Sequence, residues 1–318
     1  MYRGDVLMNF SKLIIFFILA LSTIVYTPGC SGEEESVQDQ IPALTLSMIR
    51  EAGVDSLQGD VTTYFSPNYR ERATELQTMI DEAMGFFEDS LHLRRDVILV
   101  VLSPENWLKL TPLPYGIPFA SEEASAIVLA AEDGMVTDVF LSLFPLYPEE
   151  RIDIIKSAGF SFDDAVRKKV ELIGFHELGH LLVRPYGIAT SSPWLNEFLA
   201  TYFSYSFMRT KYPHLADMYM AFAVFPSSYQ PGYTSLDEFD KYYTGVGFEN
   251  YGWYQGIFAE KIAEVFAHRG LGFLADVRDA FPEGSENLSG AEVLNRLENI
   301  YPGFLEWAAV LESIGNRE

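Results

Sequence analysis

Two histidines four residues apart, with a glutamate directly after the first, make residues 174–183 (GFHELGHLLV) the stretch best suited to chemistry. On a helix, residues i and i+4 lie on one face, so His176 and His180 can direct ring nitrogens at one metal ion. Glu177 lies beside His176, where its carboxylate can take a proton from water without binding the metal. This H-E-x-x-H pattern is typical of zinc hydrolases and predicts Zn²⁺ as the cofactor.

The residues around the motif predict that it lies on a helix. Ser161 is a suitable N-cap, and Asp163 and Asp164 follow in the first turn, where the helix dipole favours acids. Apolar residues then recur at helical spacing. The helix is expected to end near Arg184, because a proline comes next. Gly179, inside the motif, would let another element approach the helix closely.

A catalytic zinc site usually has three protein ligands and one position left for water. Downstream, Ser192 and Pro193 form an N-cap and first-turn pair, which predicts a helix from Pro193 to about Lys211. Glu197 lies near its start, and sixteen residues separate it from His180. A second helix on such a connection can fold back on the first, so we expect Glu197 to be the third ligand. The alternative is an acid that only favours the helix dipole.

Together, HELGH and the later WLNEFLATY resemble the gluzincin metallopeptidases, in particular the aminopeptidase-N-like group. The second motif of that group reads W-L-N-E-G-F-A-[ST]-Y, and seven of its nine positions match residues 194–202. The resemblance spans roughly residues 95–265. It implies a zincin-type fold that hydrolyses peptide or protein substrates. It also implies zinc ligation by His176, His180 and Glu197, with Glu177 as general base.

The same resemblance implies a tyrosine that donates a hydrogen bond to the oxyanion formed during hydrolysis. In the family this tyrosine lies at the start of a helix well after the zinc glutamate. NYGWYQGIFAEKI fits that position, with Tyr254 as the expected donor and Tyr251 as the alternative. The chain has 18 tyrosines, so a packing role is the competing interpretation for either residue.

One motif of the aminopeptidase-N-like group has no counterpart. In that group, G-x-M-E-N precedes the metal helix, and its glutamate holds the free amino group of the substrate. The strand expected in that place, ASAIVLA, lacks such a glutamate, and Glu122 and Glu123 precede it. The resemblance therefore implies a gluzincin core and zinc hydrolysis but not aminopeptidase specificity.

The N-terminus predicts an export signal and a lipid anchor. Residues 1–29 read as a signal peptide, because the apolar run 13–25 is too short for a comfortable membrane span. Cys30, the only cysteine, resembles the lipid-attachment site of bacterial lipoproteins. Residues 30–41 would be a lipid-attached tether, and the protein would reside in the bacterial cell envelope, at the outer membrane or cell surface. An ordinary cleaved signal or an uncleaved anchor is the alternative.

The order of elements predicts an α+β fold. Strand candidates at 96–102 and 124–131 precede the motif helix, and a turn at 132–134 suggests a hairpin. Everything after the motif helix has helical periodicity. We therefore expect an α/β part over residues 42–185, with a small mixed sheet packed on the motif helix, and a mostly helical part over 186–318.

The net charge of the chain argues against nucleic-acid binding. The formal net charge is −23 at pH 7, and a chain this acidic repels nucleic acid. The leading expectation is a zinc metallopeptidase tethered by lipid outside the cytoplasm. A zinc hydrolase acting on another amide or ester, and a non-catalytic binding module on the same fold, are the alternatives. The general base and all three ligands are present, which favours an enzyme.

Overall fold

Five short strands in the N-terminal half form one mixed sheet. They are β1 (Asp55–Leu57), β2 (Thr62–Phe65), β3 (Ile98–Leu102), β4 (Phe119–Ser121) and β5 (Ala126–Ala130). Their order in space is β1-β2-β3-β5-β4. The three inner strands are parallel, and each outer strand is antiparallel to its neighbour. β3 and β5 are short apolar runs and are almost wholly buried, as inner parallel strands covered on both faces require.

Helices surround the sheet and make up the rest of the described fold. Six precede or carry the histidine motif: α1 (Leu46–Glu51), α2 (Arg70–Leu91), α3 (Pro104–Leu110), α4 (Met135–Ser142), α5 (Glu149–Ser157) and α6 (Phe162–Val183). Seven follow it: α7 (Pro193–Lys211), α8 (Pro213–Ala221), α9 (Leu236–Tyr242), α10 (Phe248–Arg269), α11 (Gly272–Ala280), α12 (Gly290–Ile300) and α13 (Phe304–Gly315). A 3₁₀ turn, Tyr243–Gly245, follows α9 directly.

The computed structural model describes residues 44–223 and 231–315, all within one compact unit. The predicted signal peptide (1–29) and tether (30–41), including Cys30, lie outside these residues. Among the helices of the described ranges, none has the length and apolar character needed to cross a bilayer.

Helix α6 is held between the sheet and the helical half. On the sheet side, a Cβ added at Gly174 would lie 3.1 Å from the Leu129 side chain of β5, so the helix packs closely on that strand. On the other side, a Cβ at Gly179 would lie 2.7 Å from Cα of Ala200 and would also clash with the Ala200 carbonyl oxygen. Only glycine permits this crossing of α6 and α7, as expected from the sequence.

The predicted α+β class is confirmed, and so are the two motif helices. α6 begins after the N-cap Ser161 and ends at Val183, and α7 covers Pro193–Lys211. The hairpin prediction was wrong in its position. The antiparallel pairs are β1 with β2 and β4 with β5. The second pair is joined through residues 122–125, whereas residues 132–134 lead into α4. Gly134, the N-cap of α4, packs there against the backbone of Gly116.

Candidate metal centre

Local capping fixes the helix that carries the histidines. The side chain of Ser161 accepts a hydrogen bond from the backbone N–H of Asp164 at 3.1 Å, which satisfies one of the free amides of the first turn. About four turns after Asp164, the helix passes Ala200 at Gly179. The face that carries His176 and His180 is thereby directed at the first half of α7.

The start of α7 is fixed from two directions. Ser192 caps the helix through the backbone N–H of Leu195. Asp240 of α9 accepts hydrogen bonds from the Trp194 backbone N–H at 2.7 Å and from the Ser192 hydroxyl at 2.9 Å. Burial raises the pKa of Asp240 to about 6, although both hydrogen bonds oppose this rise. Glu197, one turn into the helix, is therefore carried on a firmly anchored segment.

Glu197 meets the two histidines at short range. Nε2 of His176 lies 3.0 Å from Nε2 of His180 and 3.1 Å from Oε2 of Glu197. Nε2 of His180 lies 3.6 Å from Oε1 of Glu197. Ligands about 2.0–2.1 Å from one tetrahedral metal ion stand about 3.3 Å apart, so these spacings suit a single ion. The buried group His176, His180 and Glu197 could therefore hold a metal ion.

Glu197 and the two histidines stabilise each other's charged forms. The side chains of His176 and Glu197 are 6% and 2% exposed, and that of His180 is 24% exposed. Burial opposes the charge of Glu197, but His180 and His176 outweigh it and hold the carboxyl pKa well below its usual range. Burial also opposes a charged His180, yet the Glu197 carboxylate raises the His180 pKa to about 9. A buried carboxylate thus demands positive charge beside it.

Glu177 lies at the same site with the opposite pKa shift. Its side chain is buried, and burial raises its pKa while the two histidines partly offset that rise. The backbone of Ala120, in strand β4, also stabilises the carboxylate form. Glu177 is not a member of the three-residue ligand group. A carboxyl group of raised pKa beside the ligands, but separate from them, has the properties of a proton acceptor.

Three donors from the segment after α8 hold the Glu197 carboxylate. The Tyr243 hydroxyl donates to Oε1 at 2.5 Å. The Tyr251 hydroxyl and the Gln255 amide each donate to Oε2 at 2.8 Å. Tyr251 was the alternative donor in the sequence, whereas Tyr243 and Gln255 were missed. Gln255 follows Tyr251 by four residues on α10 and so shares its face, a signal that the sequence did carry.

Tyr254 does not reach the cluster. Its hydroxyl donates to the backbone carbonyl of Ser235 at 2.7 Å, and its ring packs on Phe239. The residue is fully buried, and burial raises its pKa above the usual range. The expectation that Tyr254 is the oxyanion donor is therefore corrected. Its hydroxyl is used to fix the start of α9, while Tyr251, one turn earlier on α10, points at Glu197.

His176 has a partner on its other ring nitrogen. Nδ1 lies 3.0 Å from the Thr201 hydroxyl on α7, and Thr201 is almost wholly buried. Ligand histidines usually hydrogen-bond through the nitrogen that does not bind metal, which fixes the ring orientation. Thr201 lies four residues after Glu197, so one face of α7 contributes both a candidate ligand and a hydrogen bond to a second candidate ligand, His176.

Comparisons with protein families, with curated proteins and with solved structures found no match for this chain.

Proposed function

We propose that this chain is a zinc-dependent peptidase of the gluzincin kind, built on a zincin-type fold. The observation that carries the proposal is the pairing of a three-ligand group with a separate buried acid. His176, His180 and Glu197 lie at the spacing that one tetrahedral ion requires, and Glu177 lies beside them. A purely structural site usually has four protein ligands, whereas three ligands leave a position for chemistry.

The donor set favours zinc over other common metals. Two imidazole nitrogens and one carboxylate oxygen suit Zn²⁺, whereas Mg²⁺ and Ca²⁺ prefer sites made of oxygen alone. The chain's only cysteine, Cys30, lies outside the described residues, and no thiolate belongs to the three-residue group. Co²⁺ and Ni²⁺ accept the same donors, and identifying the metal retained after expression distinguishes them from zinc.

The residues of the chain divide the chemical work among them. Zn²⁺, when bound, would acidify a water molecule and polarise the carbonyl group of the substrate. Glu177 accepts a proton from the attacking water and returns it to the leaving amine. A tyrosine hydroxyl donates a hydrogen bond to the oxygen of the attacked carbonyl as negative charge develops there.

Tyr251 suits the role of hydroxyl donor better than Tyr243. Oε2 of Glu197 receives two hydrogen bonds, from Tyr251 and Gln255, whereas Oε1 receives one, from Tyr243. Tyr251 can therefore turn towards a substrate while Gln255 continues to satisfy Oε2. Burial and the neighbouring Glu197 raise the Tyr251 pKa well above its usual range, so the phenol keeps its proton and remains a donor.

The edge of the sheet supports a peptide as the substrate. β4 is an outermost strand, and the backbone of Ala120 in that strand contacts Glu177. An edge strand presents unpaired backbone groups, to which an extended peptide can add as a further strand. A peptide bound in this way would pass the general base. A small ester or amide substrate would make no use of this edge.

The cellular location remains a proposal from the sequence. We propose that Cys30 carries the lipid that holds the chain at the outer membrane or cell surface of a bacterial envelope. An anchor of this type combines acyl chains on one residue and needs no membrane-spanning helix. A Cys30→Ser variant should then lose lipid labelling and membrane association. If it stays in the membrane fraction, an uncleaved anchor replaces this proposal.

The enzymatic proposal is tested with the full-length chain. After loading with zinc, it should contain one zinc per chain and cleave a mixture of quenched fluorescent peptides, and a chelator should stop the cleavage reversibly. Cleavage of esters without cleavage of peptides would replace the peptidase by another zinc hydrolase. Tight binding of peptides without any cleavage would favour the binding module. A chain that takes up no metal would refute both enzymatic versions.

A further inference from the structure

Gln255 connects two of the metal ligands through the two ends of one amide group. Its Nε2 donates to Oε2 of Glu197 at 2.8 Å. Its Oε1 accepts from the Thr201 hydroxyl at 3.2 Å, and the Thr201 oxygen lies 3.0 Å from Nδ1 of His176. The chain of contacts closes on itself, because Nε2 of His176 lies 3.1 Å from Oε2 of Glu197.

The direction of each hydrogen bond in this chain follows from the groups involved. An ionised carboxylate only accepts, so the NH₂ end of the Gln255 amide must face Glu197 and its carbonyl end must face Thr201. The carbonyl oxygen of Gln255 also only accepts, so the Thr201 hydroxyl donates its single hydrogen bond to Gln255. The Thr201 oxygen must then accept from Nδ1–H of His176. The remaining nitrogen of that ring, Nε2, keeps its lone pair for a metal.

We infer that Gln255 is a positioning residue for the metal centre, which holds Glu197 directly and fixes the His176 ring through Thr201. These four residues come from three helices, α6, α7 and α10, so one amide ties together elements that are distant in sequence. Without the Gln255 carbonyl, the Thr201 hydroxyl is free to donate to Nδ1. His176 can then carry its proton on Nε2 and donate to Glu197, an arrangement that competes with metal binding.

This inference rests on the proposed function and is tested by zinc affinity, measured on the full-length chain by competition with a chromophoric chelator. Gln255→Met keeps the length of the side chain and removes both hydrogen bonds. It should weaken zinc binding by about 10–100-fold, the scale for residues that support metal ligands. Gln255→Glu should weaken it at least as much, because a second carboxylate cannot donate to Glu197.

Gln77→Met is the matched control. Gln77 is a buried glutamine on α2 whose amide donates to the Val61 carbonyl at 2.7 Å, away from the three-residue ligand group. Its loss should lower stability and leave zinc affinity unchanged. An equal loss of affinity in Gln77→Met and Gln255→Met would mean that general destabilisation weakens binding, which would overturn the role given to Gln255.

Thr201 tests whether the contacts act as one chain. Thr201→Val removes the hydroxyl at constant shape and should weaken zinc binding, whereas Thr201→Ser keeps the hydroxyl and should restore near-normal affinity. The double variant Thr201→Val/Gln255→Met should bind zinc within about twofold of Gln255→Met alone, because both changes break the same chain. Fully multiplicative losses would overturn the coupling.

The reference measurement separates the two proposals. If the wild-type chain binds no zinc, the proposed function fails and the inference fails with it. If the wild type binds zinc and Gln255→Met binds it within twofold as tightly, only the inference on Gln255 fails.

Discussion

Two buried charges, Lys169 on helix α6 and Glu197 on helix α7, are accommodated in opposite ways. The carboxylate of Glu197 faces two histidines of α6 and accepts three hydrogen bonds. Two turns before His176 lies Lys169, which is 8% exposed. Among the described residues, its ammonium has no carboxylate within ion-pair distance. It faces only the rings of three aromatic residues: Tyr219 at 4.0 Å, Phe140 at 5.3 Å and Phe222 at 5.7 Å.

The difference shows what a buried charge requires in order to remain charged. Burial disfavours both ions, but His180 and His176 hold the pKa of Glu197 well below its usual range. Lys169 has no such partners, and burial lowers its pKa to about 7. Tyr219 joins the two regions. Its ring contacts Lys169, and its pKa rises to about 12, through burial first and then through Glu177 and Glu197.

The largest expected effect comes from removing the paired charge. Glu197→Ala should abolish stoichiometric zinc binding, because two imidazoles alone make a poor site and the three donors lose their acceptor. Metal analysis after remetallation is the measurement. Glu171→Ala is the control, because Glu171 is another mostly buried, paired acid, but it lies on α6 and is bound to Arg72 and Lys168. Equal zinc loss in both variants would contradict the role of Glu197 as a zinc ligand.

Glu177 is buried like Lys169, and it lies at the metal centre like Glu197. Its substitution should slow the reaction without changing the metal content. Glu177→Gln keeps the shape of the side chain but cannot accept the proton. Hydrolysis of a peptide substrate should fall by about 10²–10⁴-fold while zinc content stays normal. Parallel assays of kcat/KM and metal content check this. Full activity in this variant would refute the proposed mechanism.

Two tyrosines on α10 test the proposed role of a hydroxyl in catalysis against a structural role. Tyr251→Phe should lower kcat by about 10²–10³-fold, the scale for one donor to a developing oxyanion. Tyr254→Phe is the matched control. It loses its bond to Ser235 and should lower the unfolding temperature with little change in kcat. The reverse pattern would return the role to Tyr254, and two silent variants would transfer it to Tyr243.

The ligand helices could be predicted because their signals are local. Capping at Ser161 and Ser192 and the i, i+4 spacing of the histidines depend on residues a few positions apart. The lack of a side chain at Gly179 predicted the close approach of another element, and the structure shows that this element is α7 at Ala200. The α+β class followed from the order of strand and helix patterns.

The donors around Glu197 could not be ranked from the sequence in the same way. Tyr251 and Tyr254 lie on the same helix and differ only in which neighbour they meet, which depends on how α9 packs against α10. Ser235, at the start of α9, takes the Tyr254 hydroxyl, and Glu197 takes that of Tyr251. Tyr243 lies in a 3₁₀ turn with no motif of its own. Such choices are made by tertiary packing.

The smallest effect is expected at Lys169, the buried charge without an ion-pair partner among the described residues. There the free energy of unfolding should change, not the reaction. In the unfolded chain Lys169 should titrate near its ordinary pKa of 10.5, against about 7 in the folded state. Between these values the unfolded state binds more protons, so stability rises with pH across this window. Below pH 7 both states carry the proton and the full cost of burying the charge is present.

Lys169→Met should therefore stabilise the chain, because methionine fills the same space without a charge. The gain should be roughly 2–4 kcal/mol at pH 6, since the aromatic rings recover part of the burial cost in the wild type. It should shrink as pH rises and vanish near pH 10.5. Urea unfolding of metal-free protein across this pH range measures the gain in stability.

Lys109→Met is the control at an exposed lysine, and it should change stability by at most about 0.5 kcal/mol. Destabilisation by Lys169→Met at pH 6 would mean that the contacts with the aromatic rings outweigh the cost of burying the ammonium. Lys169 would then be stabilised by its surroundings, as Glu197 is.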